Sequence, residues 1–376
     1  MEQSFDAIIV GAGVIGSSIA YNLSKRGNKV LVLEKGQVAG KASSAAAGML
    51  GAQTELEDNS PLFRLAKASR LMFPDLAEDL KQLSGIDIEL QQNGIYKVAT
   101  AEREVSKLQR LIRIQNELGE EAYWVTPTEL RDQEPALSLL TFGAMYMPND
   151  GQVSAPALTT ALATSAVALG AEILEHTGVE QLLEKDGRVV GVKTAVRQFY
   201  ADNVIVAGGA WSEALLKEAA VTLETYPVKG ECMSVKTTTR VVNGTIFSDG
   251  CYIVPKADNR LIIGATEKAD TFDETVTLEG IAKLMECAMH IIPELKRAEW
   301  DSAWAGIRPQ TMDGVPYLGE HQGKKGLYIA TGHYRNGILL APITGKVIAD
   351  LIDGVEMDSE WKSAFQINRK TGVDLS

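Results

Sequence analysis

The stretch "FDAIIVGAGVIGSSIAYNLSKRGNKVLVLE" (residues 5–34) decides the architecture. "FDAIIV" (5–10) is a short β-branched run ending in glycines, the mark of a buried strand entering a tight turn. "VIGSSIAYNLSKRG" (14–27) has helical periodicity and closes with Lys25, Arg26 and Gly27, a basic last turn before a C′ glycine. "KVLVLE" (29–34) is a second strand, and a crossover of this length makes the two strands parallel. Gly11, Gly13 and Gly16 fall in G-x-G-x-x-G register between the first strand and the helix. The first permits the turn, the second lets a pyrophosphate approach the backbone, and the third lets helix and strand pack closely. Val14 and Ile15 open the helix, whose free N–H groups and positive dipole end suit phosphates. Glu34 and Lys35 follow the second strand, about 20 residues on, where a carboxylate accepts hydrogen bonds from a ribose diol. That carboxylate disfavours a 2′-phosphate, so NADP is set aside.

The fingerprint alone does not separate FAD from NAD. Working outward, "SSAAAGML" (43–50), "NVIVAGGAWS" (203–212) and "TGHYRNG" (331–337) are further segments of little side-chain bulk. With the fingerprint they make four places where backbone approaches a ligand closely, enough to line a long cofactor. An NAD enzyme seldom needs a contact so late in the chain, which favours FAD.

Helical patterns run over 61–84, 101–118 and 155–170, and a strand pattern lies in "IDIELQQNGIYKVAT" (86–100). "VEQLLEKDGRVVGVKT" (179–194) reads as a hairpin turning at Asp186–Gly187. Residues 226–309 read mainly as strands with one helix near 279–291, and "GLYIATG" with the segment after it returns to strand–glycine–helix. The predicted fold is α/β in two interleaved parts. A Rossmann-like FAD domain comprises 1–84, 151–220 and 310–365; a mainly antiparallel substrate domain comprises 85–150 and 221–309.

A net charge of −12 argues against nucleic acid or an anionic membrane as partner. No apolar run is long enough to span a bilayer, and the N-terminus lacks a basic leader. Cys232, Cys251 and Cys287 are widely spaced without CxxC, so no metal cluster or disulfide framework is expected and a reducing cytoplasm fits. Four histidines weaken any metal-centred or His-centred chemistry. Arg335 is the odd residue, a cation between an apolar strand and an apolar helix, where burial without a partner is expensive. Taken alone, Arg335 and Arg308 read most simply as members of internal ion pairs.

"IIVGAGVIGSSIAY", "SSAAAGMLGAQ", "YPVKGEC", "CYIVPK", "WAGIRPQTMDGVPYLG" and "GHYRNGILLAPITG" change that reading. Across nearly its whole length the chain resembles the amine-oxidising flavoproteins of the D-amino acid oxidase and sarcosine oxidase superfamily, and among them the bacterial glycine oxidases. The resemblance implies non-covalent FAD, since the covalent variants use a cysteine later than Cys287. It places Gly11, Gly13, Gly16 and Glu34 at the ADP half, and Ser43, Ser44, Ala46, Ala47, Gly48 and Met49 along the pyrophosphate and flavin. Val179 falls near the adenine and Gly208 near the ribityl chain. Arg308 becomes the main clamp on a substrate carboxylate, Tyr252 a phenolic donor to it, and Arg335 a second cation, with Met49 also facing substrate. His333 is a local structural residue beside the flavin. After Asn336, the amides of Gly337, Ile338 and Leu339 would face the flavin's C2 oxygen and N1.

The implied activity is oxidation of glycine, with sarcosine and small D-amino acids, to glyoxylate, ammonia and hydrogen peroxide, using oxygen. The implied role is supply of the glycine imine for thiamine's thiazole ring, by a homotetramer. The alternatives are a D-amino acid or secondary-amine dehydrogenase with another electron acceptor, and a flavin-binding protein with a structural role. Two positions depart from the familiar pattern: Glu267 replaces a methionine and Gly250 a histidine. An acid facing an anionic substrate would hinder it, so Glu267 is expected to point outward or to favour a different amine.

Overall fold

The computed structural model describes residues 4–369. The opening unit forms as the sequence predicts: strand Ser4–Val10, helix Val14–Lys25 and strand Val30–Leu33, with Ala7 beside Val30 and Val10 beside Leu33 in parallel register. These strands sit inside an eight-stranded sheet. Its main path runs Tyr317–Glu320, Leu327–Thr331, Gln198–Val206, Ser4–Val10, Val30–Leu33, Glu172–Leu174. All neighbours on that path are parallel except the first pair. The hairpin Val179–Lys185 and Arg188–Thr194 is added antiparallel to Gln198–Val206. It turns at Asp186 (φ 51°) and Gly187 (φ 75°), the two positive values that a tight hairpin turn needs.

Alternation along the central strands divides the core in two. Ile9, Val32 and Ile205 pack on the side of the first and last helices, while Ile8, Leu31 and Val204 pack with Leu216 on the other. Both faces are covered, which is why these strands read as unbroken apolar runs. The closing helix, Gly337–Ile352, lies against the first helix so closely that a Cβ on Gly345 would stand 2.3 Å from Ser18 Oγ. Pro342 removes one amide from the closing helix. Nearby, the Ser69 hydroxyl donates to Leu339 O (2.6 Å) and the Ser18 hydroxyl to Ala341 O (2.7 Å).

The second sheet has nine strands and is mainly antiparallel; its one parallel junction joins Thr245–Phe247 to Ile95–Val98. Its longest pair is Thr225–Lys236 with Glu299–Thr311, aligned from Thr225 opposite Thr311 to Lys236 opposite Glu299. A mixed α/β protein with a Rossmann-like sheet and a mainly antiparallel one is what the sequence predicts. No helix among the described residues is long and apolar enough to cross a membrane.

Two local expectations fail. The pattern over 61–84 becomes two helices, Pro61–Leu71 and Phe73–Ser84, broken at Met72. Pro74 has no amide to continue the ladder onto the first helix. Of 86–100, only Ile95–Val98 joins the sheet. Positive φ at Glu89 (56°) and Gly94 (73°) interrupts the extended chain, leaving Gln91 with one isolated bridge to Gln152.

The third glycine of the fingerprint is fixed by space, because a Cβ on Gly16 would lie 1.9 Å from Gly11 O. Gly16→Ala should therefore destabilise the protein by about 1–3 kcal/mol, as overpacking does. Urea unfolding should show a lower midpoint at unchanged slope; an unchanged midpoint would remove the packing argument.

Candidate active site

At the dinucleotide end, Gly11 has φ 105°, and a Cβ there would stand 2.7 Å from Ala207 O and 3.1 Å from Gly208 Cα. Two strand ends thus meet backbone to backbone, putting Gly208 beside the fingerprint. Gly13 caps the helix without a side chain, and the Val14 amide donates to Ser43 Oγ at 2.9 Å. Ile15 and Gly16 complete a first turn whose amides have no intrahelical acceptor. Glu34 is anchored by both oxygens: Ala12 N donates to Oε2 and Gly36 N to Oε1, each at 2.8 Å. A carboxylate has about four acceptor positions, so two remain for a diol. Gly178, next to Val179, lies against the Lys35 stem, 3.5 Å from its ideal Cβ to Lys35 Cγ. Ser44 donates to Ala39 O and so shapes the turn from within. Bare backbone, an open helix N-terminus and a terminal carboxylate fit the ADP half of a dinucleotide.

Beyond it lies a cleft of about 90 Å³. Ala46, Ala47, Gly48 and Met49 line it from the early loop, Tyr252 and Arg308 from the second sheet, and Arg335, Asn336 and Ile338 from the turn before the closing helix. Gly337 and Leu339 continue that turn into the helix, which has no acidic residue and no side-chain cap at its start. Its first amides and positive dipole end are therefore free to face an anionic group.

The two arginines differ sharply. Arg308 makes no ion pair among the described residues; its Nη1 donates only to Thr266 O, at 3.3 Å. Its guanidinium lies flat where Gly230 has no side chain, since a Cβ there would fall 2.3 Å from both terminal nitrogens. Arg335 is paired twice, by Nη2 to Glu55 (2.9 Å) and by Nη1 to Glu267 (2.6 Å). Burial disfavours its charge, but the two carboxylates outweigh that and raise its pKa. The second cation is thus the centre of an internal ion-pair triad, and Glu267, which stays half-exposed, pairs with Arg335. Gly250 takes a positive φ (108°) before Cys251, and a Cβ there would stand 3.5 Å from Cys287 Sγ.

A larger cavity of about 820 Å³ adjoins the cleft, and Tyr252 and Arg335 line both. Tyr252 is buried, with its hydroxyl 3.5 Å from Cys232 Sγ. Burial pushes its pKa well above 10, so the phenol stays protonated and able to donate. His333 is buried, its Nε2 3.1 Å from Thr344 Oγ1, which ties the turn to the closing helix.

Three features escaped sequence reasoning. Glu55 is one, since nothing local marks it as a partner for a residue 280 positions later. Another is the buried pair Lys229 and Glu231 (3.4 Å) on the cavity wall. The alternation of "YPVKGEC" carried that signal, since it puts Lys229 and Glu231 on the face opposite Gly230. Lys256 is the third: burial lowers its pKa to about 7, and its Nζ donates to Gln152 Oε1 (2.7 Å) and Val153 O (2.8 Å).

Residues 6–351 match the model of the family described as FAD dependent oxidoreductase. The chain belongs to that family. Glycine oxidase of Geobacillus kaustophilus is 46% identical over 375 residues, covering 99% of both chains. A crystal structure of glycine oxidase from the same species superposes with a TM-score of 0.95 at 45% identity, over 98% of this chain and 99% of that one. The bifunctional protein ThiO/ThiG of Trichormus variabilis is 36% identical over 94% of this chain and 53% of its own length. The cofactor of this FAD-dependent oxidoreductase is FAD, and the residues at the fingerprint end fit it.

Two predictions come from this geometry. Gly230→Ala should push the Arg308 fork aside, costing about 1.5–3 kcal/mol in kcat/KM, the worth of a hydrogen bond to a charged group. Unfolding midpoint and flavin content should stay near the parent's; unchanged kinetics would show that Arg308 needs no such space. The second concerns pH. Burial lowers His333 from 6.5 to about 3, so between those values the unfolded chain binds a proton that the folded one refuses. Stability should fall as pH drops through that window, and His333→Gln should flatten the fall. Urea midpoints across the window would show it, and parallel curves would overturn it.

Proposed function

We propose that the chain oxidises glycine, with sarcosine and small D-amino acids as further substrates, to glyoxylate, ammonia and hydrogen peroxide. The carrying observation is Arg308, a guanidinium without a carboxylate partner, sharing a small cleft with a protonated phenol. A planar fork binds a carboxylate by two parallel hydrogen bonds, and Tyr252 adds a third donor. The names of the similar oxidases favour oxygen as acceptor.

FAD, when bound, would supply the two-electron acceptor for oxidation of the substrate's α C–H bond. The chain's own groups do the rest. Arg308 and Tyr252 fix the carboxylate and with it the direction of the α-carbon. The amine enters neutral, so no catalytic base is required, which agrees with a site whose nearest histidine is buried against Thr344. The amides of Gly337, Ile338 and Leu339 present positive potential to charge that gathers on the ring. Gly11, Gly13, Val14, Ile15, Gly16, Glu34, Lys35, Ser43, Ser44, Val179 and Gly208 hold the rest of the cofactor. Attachment is non-covalent: the latest cysteine, Cys287, packs against Cys251 in the second core. The Arg335 triad with Glu55 and Glu267 carries a net negative charge and sets the amine preference at the junction of cleft and cavity.

In this reading 1–84, 151–220 and 310–365 hold FAD, and 85–150 with 221–309 hold substrate. The resemblance extends it to a cytoplasmic homotetramer that supplies an imine for thiazole formation.

Anaerobic glycine should bleach the bound flavin, and admitted oxygen should restore it with one peroxide per glycine; no bleaching would reject the reading. Arg308→Ala should cost roughly 2–4 kcal/mol in kcat/KM, as loss of charged hydrogen bonds does. Glu267→Gln leaves Arg335 with one carboxylate and should lower KM for glycine, worth about 0.5–1 kcal/mol for a half-exposed charge. A raised KM would show that Glu267 helps binding.

A further inference from the structure

The 820 Å³ cavity has two walls that the reaction does not use. One is the segment of Ser248, Asp249, Gly250 and Cys251 that leads into the strand Tyr252–Pro255. The other is the helix Leu278–Ile291, which presents Gly280, Lys283 and Leu284 to the cavity. Cys287 follows these at helical spacing and so continues the same face. It meets the first wall. Its Sγ lies 3.5 Å from where a Cβ on Gly250 would be, and 3.9 Å from Ser248 Oγ. Cys251, on the first wall, belongs to the apolar cluster against which Cys287 packs. Both cysteines are free, Cys251 buried and Cys287 partly exposed.

We propose that Cys251 and Cys287 form a reversible oxidation site, which hydrogen peroxide converts to a disulfide that clamps the two cavity walls together beside Tyr252. The peroxide is the product in the function proposed above, so physiological supply of the oxidant rests on that reading; the chemistry of the pair does not.

The thiols are unequal. The neighbouring Cys251 thiol lowers Cys287 to about 7, while Cys287 and burial push Cys251 up. Cys287 is therefore the nucleophile, since the thiolate is the reactive form. Its sulfur attacks one peroxide oxygen, the O–O bond breaks, hydroxide leaves, and Cys287 becomes a sulfenic acid. Cys251 then loses its proton and attacks the Cys287 sulfur. The S–S bond forms, the S–O bond breaks, and the departing hydroxide takes up the proton as water. In sum two thiols and one peroxide give a disulfide and two waters, the thiols losing the two electrons that the peroxide gains. The third cysteine, Cys232, is buried against Tyr252 and is an internal control.

The clamp acts on substrate access because Cys251 directly precedes Tyr252. The far end of the same helix is already fixed by Glu231, which accepts from Thr277 N at 2.7 Å. Joining the other end removes freedom between the walls, as cross-links do.

The test treats FAD-loaded enzyme with added peroxide, then maps peptides without reduction. The expected result is a Cys251–Cys287 linked peptide, lighter by two hydrogens, with Cys232 still alkylatable. It should come with a several-fold fall in kcat/KM that dithiothreitol reverses. Cys287→Ser should show neither the peptide nor the reversible fall, with activity before treatment near the parent's. Three alkylatable thiols after peroxide, irreversible oxidation at Cys287 without a link, or a linked enzyme of unchanged kcat/KM would each overturn the proposal. A second arm replaces added peroxide by turnover of glycine with and without catalase. A link formed by added peroxide but not by turnover would count against the proposed oxidase activity and leave the dithiol site standing.

Discussion

A guanidinium held off bulk water with one carbonyl for company is costly unless something else completes its shell. Arg308 is in that position, with Thr266 O at 3.3 Å and no carboxylate. Its surroundings are built to keep it so. Gly230, two residues along the paired strand from Val228 opposite Arg308, offers no Cβ, so the planar fork rests on bare backbone. Acids are near, but each is otherwise engaged: Glu231 by Thr277 and Lys229, and Glu267 by Arg335. In a protein of net charge −12, leaving one arginine without an acid requires that the acids close to it be occupied first.

This gives Arg335 a different role from the one its motif suggests. Two carboxylates neutralise it, so it contributes little attraction to an anionic substrate. Instead it bridges Glu55, at the end of the short helix Ala52–Glu55, and Glu267, from the second sheet's side of the cavity. The ion pairs join parts of the chain that carry cofactor and substrate residues, at the point where cleft and cavity meet. In the proposed reading Arg308 binds and Arg335 braces, a division that follows from the partners, not from the residue type.

Local grammar was legible in the sequence wherever the physics is local. The glycine fingerprint, the Asp186–Gly187 hairpin and the apolar strands each depend on a few adjacent residues, and each formed as read. Met72 shows the limit: the helical pattern continued through it, and only the missing amide of Pro74 ended the helix. The strand pattern in 86–94 failed because Glu89 took a positive φ that no pattern of apolar residues announces. Long-range pairing was illegible in principle. Glu55 and Glu267 are unremarkable acids until the fold brings them to Arg335, and Cys251 and Cys287 look unrelated until a helix face meets a loop.

The long pair Thr225–Lys236 and Glu299–Thr311 explains how one sheet serves two spaces. Side chains alternate across a strand, so Gly230 and Cys232 face the cleft while Lys229 and Glu231 face the cavity. The partner strand sets Gly306 against Ala45, where a Cβ would stand 2.6 Å from its methyl group, and Trp304 Nε1 donates to Ala45 O at 3.0 Å. The cofactor-lining loop is thereby locked to the strand that carries Arg308. A shift of this strand would move Arg308 and Ala45 together, which preserves their spacing. Tyr252 stands on the neighbouring hairpin, Tyr252–Pro255 with Arg260–Gly264, and another cavity wall on the helix Leu278–Ile291. Two spaces served by the two faces of one strand pair is a division that the pleat of a sheet makes possible.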